Sequence, residues 1–140
     1  MIYEYQGKCR CGNVTFTITL PRSLNNYAPR ACDCDFCSSV GLAYLSDPAG
    51  TLEVHCPAPL KRTTQGSGQA VFLSCSDCGV VVTVAYPFAA GLKGNVNAAL
   101  INERALLQEH VTVSPKLLRP AEKIKRWDEI WCPISLHESA

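Results

Sequence analysis

The sequence predicts a mostly β domain with a short helix near its C-terminus. Two observations indicate this fold class: short apolar runs alternate with hydroxylated or polar residues, and Pro and Gly signals separate these runs. Many short strands joined by regular turns are typical of all-β or mostly β domains. With 140 residues, 47% of them hydrophobic, the chain is the size of one ordinary domain, and we expect a single domain over 1–140.

The strand predictions begin at Val14 to Leu20, where apolar and hydroxylated side chains alternate with a period of two. Pro21 ends this run. The most continuously apolar segment is Val80 to Val84, which indicates an interior strand buried on both faces. After the first strand, five β-rich runs are predicted to be strands: 42–45, 52–55, 70–73, 80–86, which contains this apolar segment, and 111–113.

A helix is predicted close to the C-terminus. Pro120 suits the first turn of a helix, where no N–H is needed for hydrogen bonding. Ile124, Trp127 and Trp131 follow at spacings that place them on one helical face. The alternative is that the two Trp residues cover the sheet without a helix.

Seven of the nine cysteines fall into three tight clusters. They are Cys9-Arg10-Cys11-Gly12, Cys32-Asp33-Cys34-Asp35-Phe36-Cys37 and Cys75-Ser76-Asp77-Cys78-Gly79. The N-terminus has no basic segment followed by an apolar one, and no apolar run approaches the ~20 residues that span a bilayer, so we expect a cytoplasmic protein. In that reducing compartment, clustered cysteines are more often metal ligands or redox groups than disulfide partners.

The two outer clusters predict a structural zinc site with four thiolate ligands. In each, a glycine follows the second cysteine, and glycine supplies the positive φ that a metal-binding turn needs. The alternative is that the first pair consists of strand residues and the second is a redox pair, although the run after the second pair is β-branched rather than helical. The four expected ligands are Cys9, Cys11, Cys75 and Cys78.

The middle triplet, Cys32, Cys34 and Cys37, predicts a second zinc site with an open fourth position, as in catalytic zinc sites. A thiol bound there would have a pKa below about 8.5 and act as a thiolate. Two alternatives remain: the triplet is redox-active without metal, or a fourth ligand closes the site. The candidates for that ligand are His55, Cys56, His110, Cys132 and His137; taken alone, Cys56 and Cys132 are expected to be small buried side chains.

The charge distribution argues against nucleic acid or a membrane as the partner. The chain has 13 Lys and Arg against 12 Asp and Glu, and it contains no run of five or six like charges. The expected partners are therefore small molecules. The sequence does not define the oligomeric state. Five cations are unassigned candidates for contacting substrate carboxylates: Arg10, Arg30, Lys61, Arg62 and Lys93.

The cysteine arrangement resembles that of the glutathione-dependent formaldehyde-activating enzyme family, which includes the centromere protein V type domains. The matching features lie between Gly7 and Asn97, in the family's order. They are Gly7-Lys8-Cys9-Arg10-Cys11-Gly12-Asn13-Val14-Thr15-Phe16, the triplet followed by Gly41, Phe72 before Cys75-Ser76-Asp77-Cys78-Gly79, and Asn95-Val96-Asn97.

The resemblance implies an Mss4-like β-tent of short antiparallel sheets around structural zinc, with catalytic zinc at the triplet. It also implies a carbon–sulfur lyase of the S-(hydroxymethyl)glutathione synthase type, in which a small thiol adds to an aldehyde or is released from the adduct. This chain departs from the family pattern at Asp33 and Asp35, whose charges would repel the carboxylates of glutathione. The alternatives from other classes are a non-catalytic, zinc-stabilised binding or scaffold domain and a thiol–disulfide redox protein.

Overall fold

The chain folds into a mostly β structure, as its sequence predicts. The computed structural model describes residues 2–32, 42–65, 68–114 and 117–138, with the backbone alone at residue 32. These parts of the chain contain eleven strands and one α-helix. In chain order the elements are β1 (Tyr3–Lys8), β2 (Thr15–Leu20), β3 (Arg30–Cys32), β4 (Ala43–Leu45), β5 (Thr51–Cys56), β6 (Lys61–Thr64), β7 (Val71–Ser74), β8 (Val81–Phe88), β9 (Gly91–Asn97), β10 (Val111–Val113), α1 (Pro120–Ile130) and β11 (Cys132–Glu138).

Four strands form a first sheet in the order β1, β2, β5 and β11. β1 and β2 are an antiparallel pair, joined by the turn that contains the first cysteine cluster. β5 is antiparallel to β2, with Phe16 opposite Val54 and Ile18 opposite Leu52. Because residues opposite each other share a face of the sheet, these four side chains form one buried layer. The first cluster therefore lies at the end of a well-packed sheet.

The second sheet is built around β8 and β9. β8 lies between β7 and β9, and its residues 81–85 are buried, which confirms the interior strand expected from the apolar run. At one edge β6 pairs with β7, and on the other side β9 is followed by β4, β3 and β10. The third cysteine cluster occupies the turn between β7 and β8. Both outer clusters therefore lie in turns between antiparallel neighbours.

Among the described strands two pairs are parallel, and here the expectation of antiparallel sheets was incomplete. β11 runs parallel to β5, with His137 opposite His55, and β10 runs parallel to β3, with Val111 opposite Arg30. Parallel neighbours need a long crossover connection, which the intervening strands supply in both cases. β11 also pairs antiparallel to β9. It therefore joins the two sheets.

The helix α1 begins at Pro120, as predicted, and packs on the second sheet. The backbone N–H of Arg119 donates to the Glu122 carboxylate at 2.9 Å, which caps the first turn. The rings of Trp127 and Trp131 stack 4.7 Å apart, and both are buried against the sheet, although Trp131 lies one residue beyond the helix. In the described parts of the chain, no helix is long and apolar enough to cross a lipid bilayer.

Several strands were not predicted from the sequence, and each has a composition that weakens the strand signal. β6 consists of charged and hydroxylated residues, β9 contains two glycines, and β11 has a proline at its second position. β1 and β3 are polar or short. Pairing with neighbours, rather than local preference, determines these five strands.

The carboxylate of Glu138 anchors the end of β11 to the segment that begins β6. It accepts a hydrogen bond from the Leu60 N–H at 2.7 Å, and it forms an ion pair with the Arg62 guanidinium at 2.7 Å. The Arg62 guanidinium lowers the pKa of Glu138. A carboxyl group with a lowered pKa stabilises the fold above its unfolded pKa of about 4.3 and loses this effect as the pH falls through its folded value.

We therefore expect Glu138→Gln to lower the free energy of unfolding by about 1 kcal/mol at pH 7, since one partner is half-exposed. The difference between variant and wild type should shrink as the pH falls below about 4. Urea denaturation at pH 7, 5 and 3.5 measures both effects. Glu4→Gln removes an exposed carboxylate elsewhere and should cost less; equal costs at every pH for both variants would contradict this role of Glu138.

Candidate metal centre

The two outer cysteine clusters fold into turns of the same design. In the first turn the Cys9 N–H donates to the Val14 carbonyl oxygen at 2.9 Å. In the second the Cys75 N–H donates to the Val80 carbonyl oxygen at 3.0 Å. Each hydrogen bond joins the first cysteine of a cluster to the residue five positions later. The two thiols of each cluster therefore lie in one tight turn.

Glycine makes both turns possible. Gly12 and Gly79 have φ values of 82° and 76°, the left-handed region that other residues rarely adopt. Their N–H groups donate to the carbonyl oxygens of Cys9 at 3.1 Å and of Cys75 at 2.9 Å. The glycines expected to bend the chain after each ligand pair therefore do so.

The four thiols of the two turns come together. Their Sγ atoms all lie within 4.8 Å of one another; Cys9 and Cys11 are 3.5 Å apart, and Cys11 and Cys75 are 3.6 Å apart. A tetrahedral zinc ion with Zn–S bonds of about 2.3 Å separates its sulfurs by about 3.8 Å. Cys78 completes the set. The donor type, number and spacing fit zinc, and the cluster confirms that these four residues form a possible metal site.

Backbone N–H groups donate to the two most buried of these sulfurs. Val14 donates to Cys9 Sγ at 3.3 Å, and Cys78 donates to Cys75 Sγ at 3.4 Å. Both receiving cysteines are 1% exposed, so these contacts replace water around groups that are ionised when they bind metal. Such outer contacts orient the ligands and reduce the excess negative charge of four thiolates.

The two turns are also joined by side chains outside the ligand set. The Asn13 amide donates to the Asp77 carboxylate at 2.5 Å. This link was not predicted from the sequence, where the signal was an Asn next to one glycine and an Asp within the other cluster. The contact holds the turns together from the solvent side.

The pKa values of two ligands move in opposite directions. Burial raises the pKa of Cys78, but N–H groups of Val80 and Cys11 and the adjacent thiols outweigh it, and the pKa falls to about 6. At Cys11 the Asn13 N–H favours the thiolate, yet desolvation and the neighbouring thiols raise the pKa to about 12. A metal bound by all four sulfurs must displace protons, so the affinity for metal rises with pH.

The middle triplet falls mostly outside the described residues. The backbone of Cys32 ends β3, between β4 and β10. Cys34 and Cys37, with the intervening Asp33 and Asp35, lie outside the described residues. The second zinc site therefore stays a prediction from the sequence.

Cys56 and Cys132 are buried, as expected for small apolar side chains. The Cys132 thiol lies 3.4 Å from the Gly94 carbonyl oxygen, and burial raises its pKa to about 11. Burial also raises the pKa of Cys56. Both side chains suit packing better than metal binding.

The structure also brings together two histidines whose proximity was not predicted from the sequence. The rings of His55 and His137 stack 4.4 Å apart with an angle of 7° between them. They line a shallow, open groove of about 590 Å³ beside Asn13. Only the register between β5 and β11 places them side by side, and no sequence signal reports that register.

The five cations proposed for binding carboxylates have different surroundings. Arg62 and Lys93 form ion pairs with carboxylates of this chain, each at 2.7 Å. Arg10 and Lys61 are exposed. Arg30 is half-buried and donates to a serine hydroxyl. Arg30 alone among the five therefore combines burial with a charge that is not paired to a carboxylate among the described residues.

Comparison of the sequence with protein-family models and with curated proteins gave no match. Comparison with solved structures gave a Rhodobacter sphaeroides protein whose crystal structure was determined as a structural genomics target. The TM-score is 0.56 and the identity 24%, over 77% of this chain and 99% of the other. At this identity the similarity concerns the fold alone, which this chain shares with a protein of known crystal structure.

Proposed function

We propose that this chain is a zinc-dependent carbon–sulfur lyase of the glutathione-dependent formaldehyde-activating type, with an Mss4-like fold. The observation that carries the proposal is the convergence of four thiols from two distant turns, in a chain whose remaining clustered cysteines form a separate triplet. A structural zinc needs only four of these seven ligands. The remaining three are the right number for a catalytic zinc with one open position.

In this proposal Cys9, Cys11, Cys75 and Cys78 hold the structural zinc, and Cys32, Cys34 and Cys37 hold the catalytic one. Zinc at the triplet would lower the pKa of a bound thiol and keep it as a thiolate at neutral pH. The short strand β3 fixes the backbone of Cys32 through pairing on both sides. The cysteine-rich site suits a reducing, cytoplasmic location.

The reaction joins a small thiol to an aldehyde. The sulfur forms a bond to the carbonyl carbon, the C=O π electrons move to the oxygen, and the proton lost by the thiol ends on that oxygen. The product is a hemithioacetal, and the reverse reaction cleaves the same carbon–sulfur bond. A bound thiolate reacts without a general base, which agrees with a sequence that offers no obvious one.

Metal analysis and a turnover assay test this function together. We expect about two zinc ions per chain. We also expect the protein to form hemithioacetals from formaldehyde and a panel of small thiols, a reaction that NMR can monitor. Cys34→Ser should lower the zinc content by about one, keep the circular dichroism spectrum, and reduce turnover at least ~100-fold. Cys56→Ser is the control and should keep both zinc ions and turnover.

Two other results would contradict the lyase. One zinc ion with a reversible disulfide within the triplet would favour redox chemistry. Loss of a zinc ion from Cys34→Ser, without turnover of any pair by the wild type, would favour a binding or scaffold domain.

A further inference from the structure

The four thiols of the cluster differ in their access to solvent. Cys9 and Cys75 are each 1% exposed, whereas Cys78 is half-buried and Cys11 is exposed. As zinc ligands all four are thiolates, and the thiolate is the form of cysteine that peroxides oxidise. A reagent that approaches from solvent therefore reaches Cys11 first.

A second thiol lies close to Cys11 and belongs to the other turn. The Sγ atoms of Cys11 and Cys75 are 3.6 Å apart, although the two residues are 64 positions apart in the chain. A disulfide bond is about 2.0 Å long, so the two sulfurs need to approach each other by about 1.5 Å. Such a bond would join the turn between β1 and β2 to the turn between β7 and β8, as the zinc ion would.

Cys9 is as close to Cys11, at 3.5 Å, but it is the less favourable partner. A single residue separates these two cysteines, and a disulfide between them would close a small ring that contains two planar peptide groups. The Cys9 backbone is also fixed, because its N–H donates to Val14 and its carbonyl oxygen accepts from Gly12. A bond between the two turns closes no such small ring. Cys75 is therefore the favoured partner.

We propose that Cys11 is an oxidation site, at which peroxides convert the four-thiol cluster into a metal-free state with a disulfide between Cys11 and Cys75. The proposal rests on the zinc ion proposed for the cluster and not on the lyase reaction. The disulfide would keep the two turns joined after the zinc ion has left. The fold would then lose its metal under oxidative conditions without separation of the turns.

The reaction consumes one peroxide for each disulfide. The Cys11 thiolate attacks one oxygen of hydrogen peroxide, forms a sulfenic acid and releases hydroxide. The Cys75 thiolate then attacks the Cys11 sulfur and displaces a second hydroxide. The two sulfurs together lose two electrons, the peroxide gains them, and two protons convert the two hydroxides to water. Cys9 and Cys78 remain as the thiolates of the cluster, and two ligands are too few to hold a structural zinc ion.

Release of zinc by hydrogen peroxide tests the proposal. The Cys34→Ser variant, which is expected to lack the zinc of the triplet, serves as the background, so that the released metal comes from the cluster. We expect peroxide to release about one zinc ion per chain to a chromogenic chelator. Peptide mapping under non-reducing conditions should identify a disulfide between Cys11 and Cys75, both in this background and in the wild type.

Two matched variants identify the residue that the oxidant attacks. Histidine is a zinc ligand that forms no disulfide, so Cys11→His should retain the metal but release it at least ~10-fold more slowly in peroxide. Cys78→His makes the same change at the half-buried ligand and should release zinc at the background rate. Zinc analysis before the addition of peroxide checks that both variants are loaded. If either is not, the disulfide mapped in the wild type decides.

The thermal stability of the oxidised protein gives a second measurement. The oxidised, metal-free protein should melt at a higher temperature than reduced protein stripped of metal by a chelator, because a disulfide still links the two turns. Dithiothreitol should remove this difference.

Equal rates of zinc release from Cys11→His and Cys78→His would overturn the proposal, and so would a disulfide that mainly joins Cys9 to Cys11. If the wild type forms hemithioacetals but keeps its cluster zinc in peroxide, the lyase stands and the oxidation site falls. If the disulfide between Cys11 and Cys75 forms in a protein that turns over no thiol, the oxidation site stands and the lyase falls.

Discussion

Cys75→Ser is expected to release the zinc ion proposed for the four-thiol cluster and to unfold the domain. Cys75 is 1% exposed, and its thiol is one of the four in the cluster, 3.6 Å from that of Cys11. Structural zinc sites contribute about 10–16 kcal/mol to folding at neutral pH, as much as the whole stability of a typical domain. Loss of one thiolate should therefore reduce the free energy of unfolding by more than about 4 kcal/mol. Metal content and thermal unfolding measure the two effects.

Cys56→Ala is the matched control, because it removes a buried thiol that is outside the cluster. It should keep the metal content and cost about 1 kcal/mol, the value for a small loss of packing. A strong chelator should reproduce the effect of Cys75→Ser on the wild type. An unchanged melting temperature after Cys75→Ser or after complete metal removal would show that the turns hold together without metal.

Ile18→Ala should strongly destabilise the first sheet. Ile18 is 0% exposed, and it lies opposite Tyr5 on one side and Leu52 on the other. Replacing a buried Ile by Ala costs about 2–5 kcal/mol, because it loses transfer energy and leaves a cavity. Since β2 is paired on both sides, the surrounding strands have little room to collapse into that space. Urea denaturation should show a lower midpoint with an unchanged slope.

Ile2→Ala is the same chemical change at a position that is 73% exposed. It should alter the free energy of unfolding by less than about 0.5 kcal/mol. Costs of similar size for the two variants would mean that the first sheet is not the packed layer described above.

The parts of the fold that could be predicted are those with local signals. The alternation in β2, the apolar run in β8 and the Pro at the start of α1 each depend on neighbours in the sequence. The four-thiol cluster was also predictable, because a Cys pair followed by Gly specifies both the ligands and the turn.

The other features depend on partners that are distant in the sequence. β9 contains Gly94, where a side chain would collide with the Val84 carbonyl oxygen and the end of Ile134. The glycine weakens the strand signal, yet the close packing of β8, β9 and β11 requires it. The hydrogen bond from Ser46 to the Ile130 carbonyl oxygen was equally hidden, because it depends on where α1 ends against the second sheet. Such contacts follow from the tertiary arrangement and not from any local pattern.

The central position of β11 determines the order in which a newly made chain can fold. The four thiols of the two outer turns all precede β9 in the chain, so both turns are synthesised before the strand that follows them. Until β11 is synthesised, however, β5 is an edge strand of the first sheet, and β9 lacks one of its neighbours in the second sheet. The nascent chain thus exposes two unpaired strand edges for the time needed to translate the connection through α1, and this interval is when the protein is most exposed to aggregation.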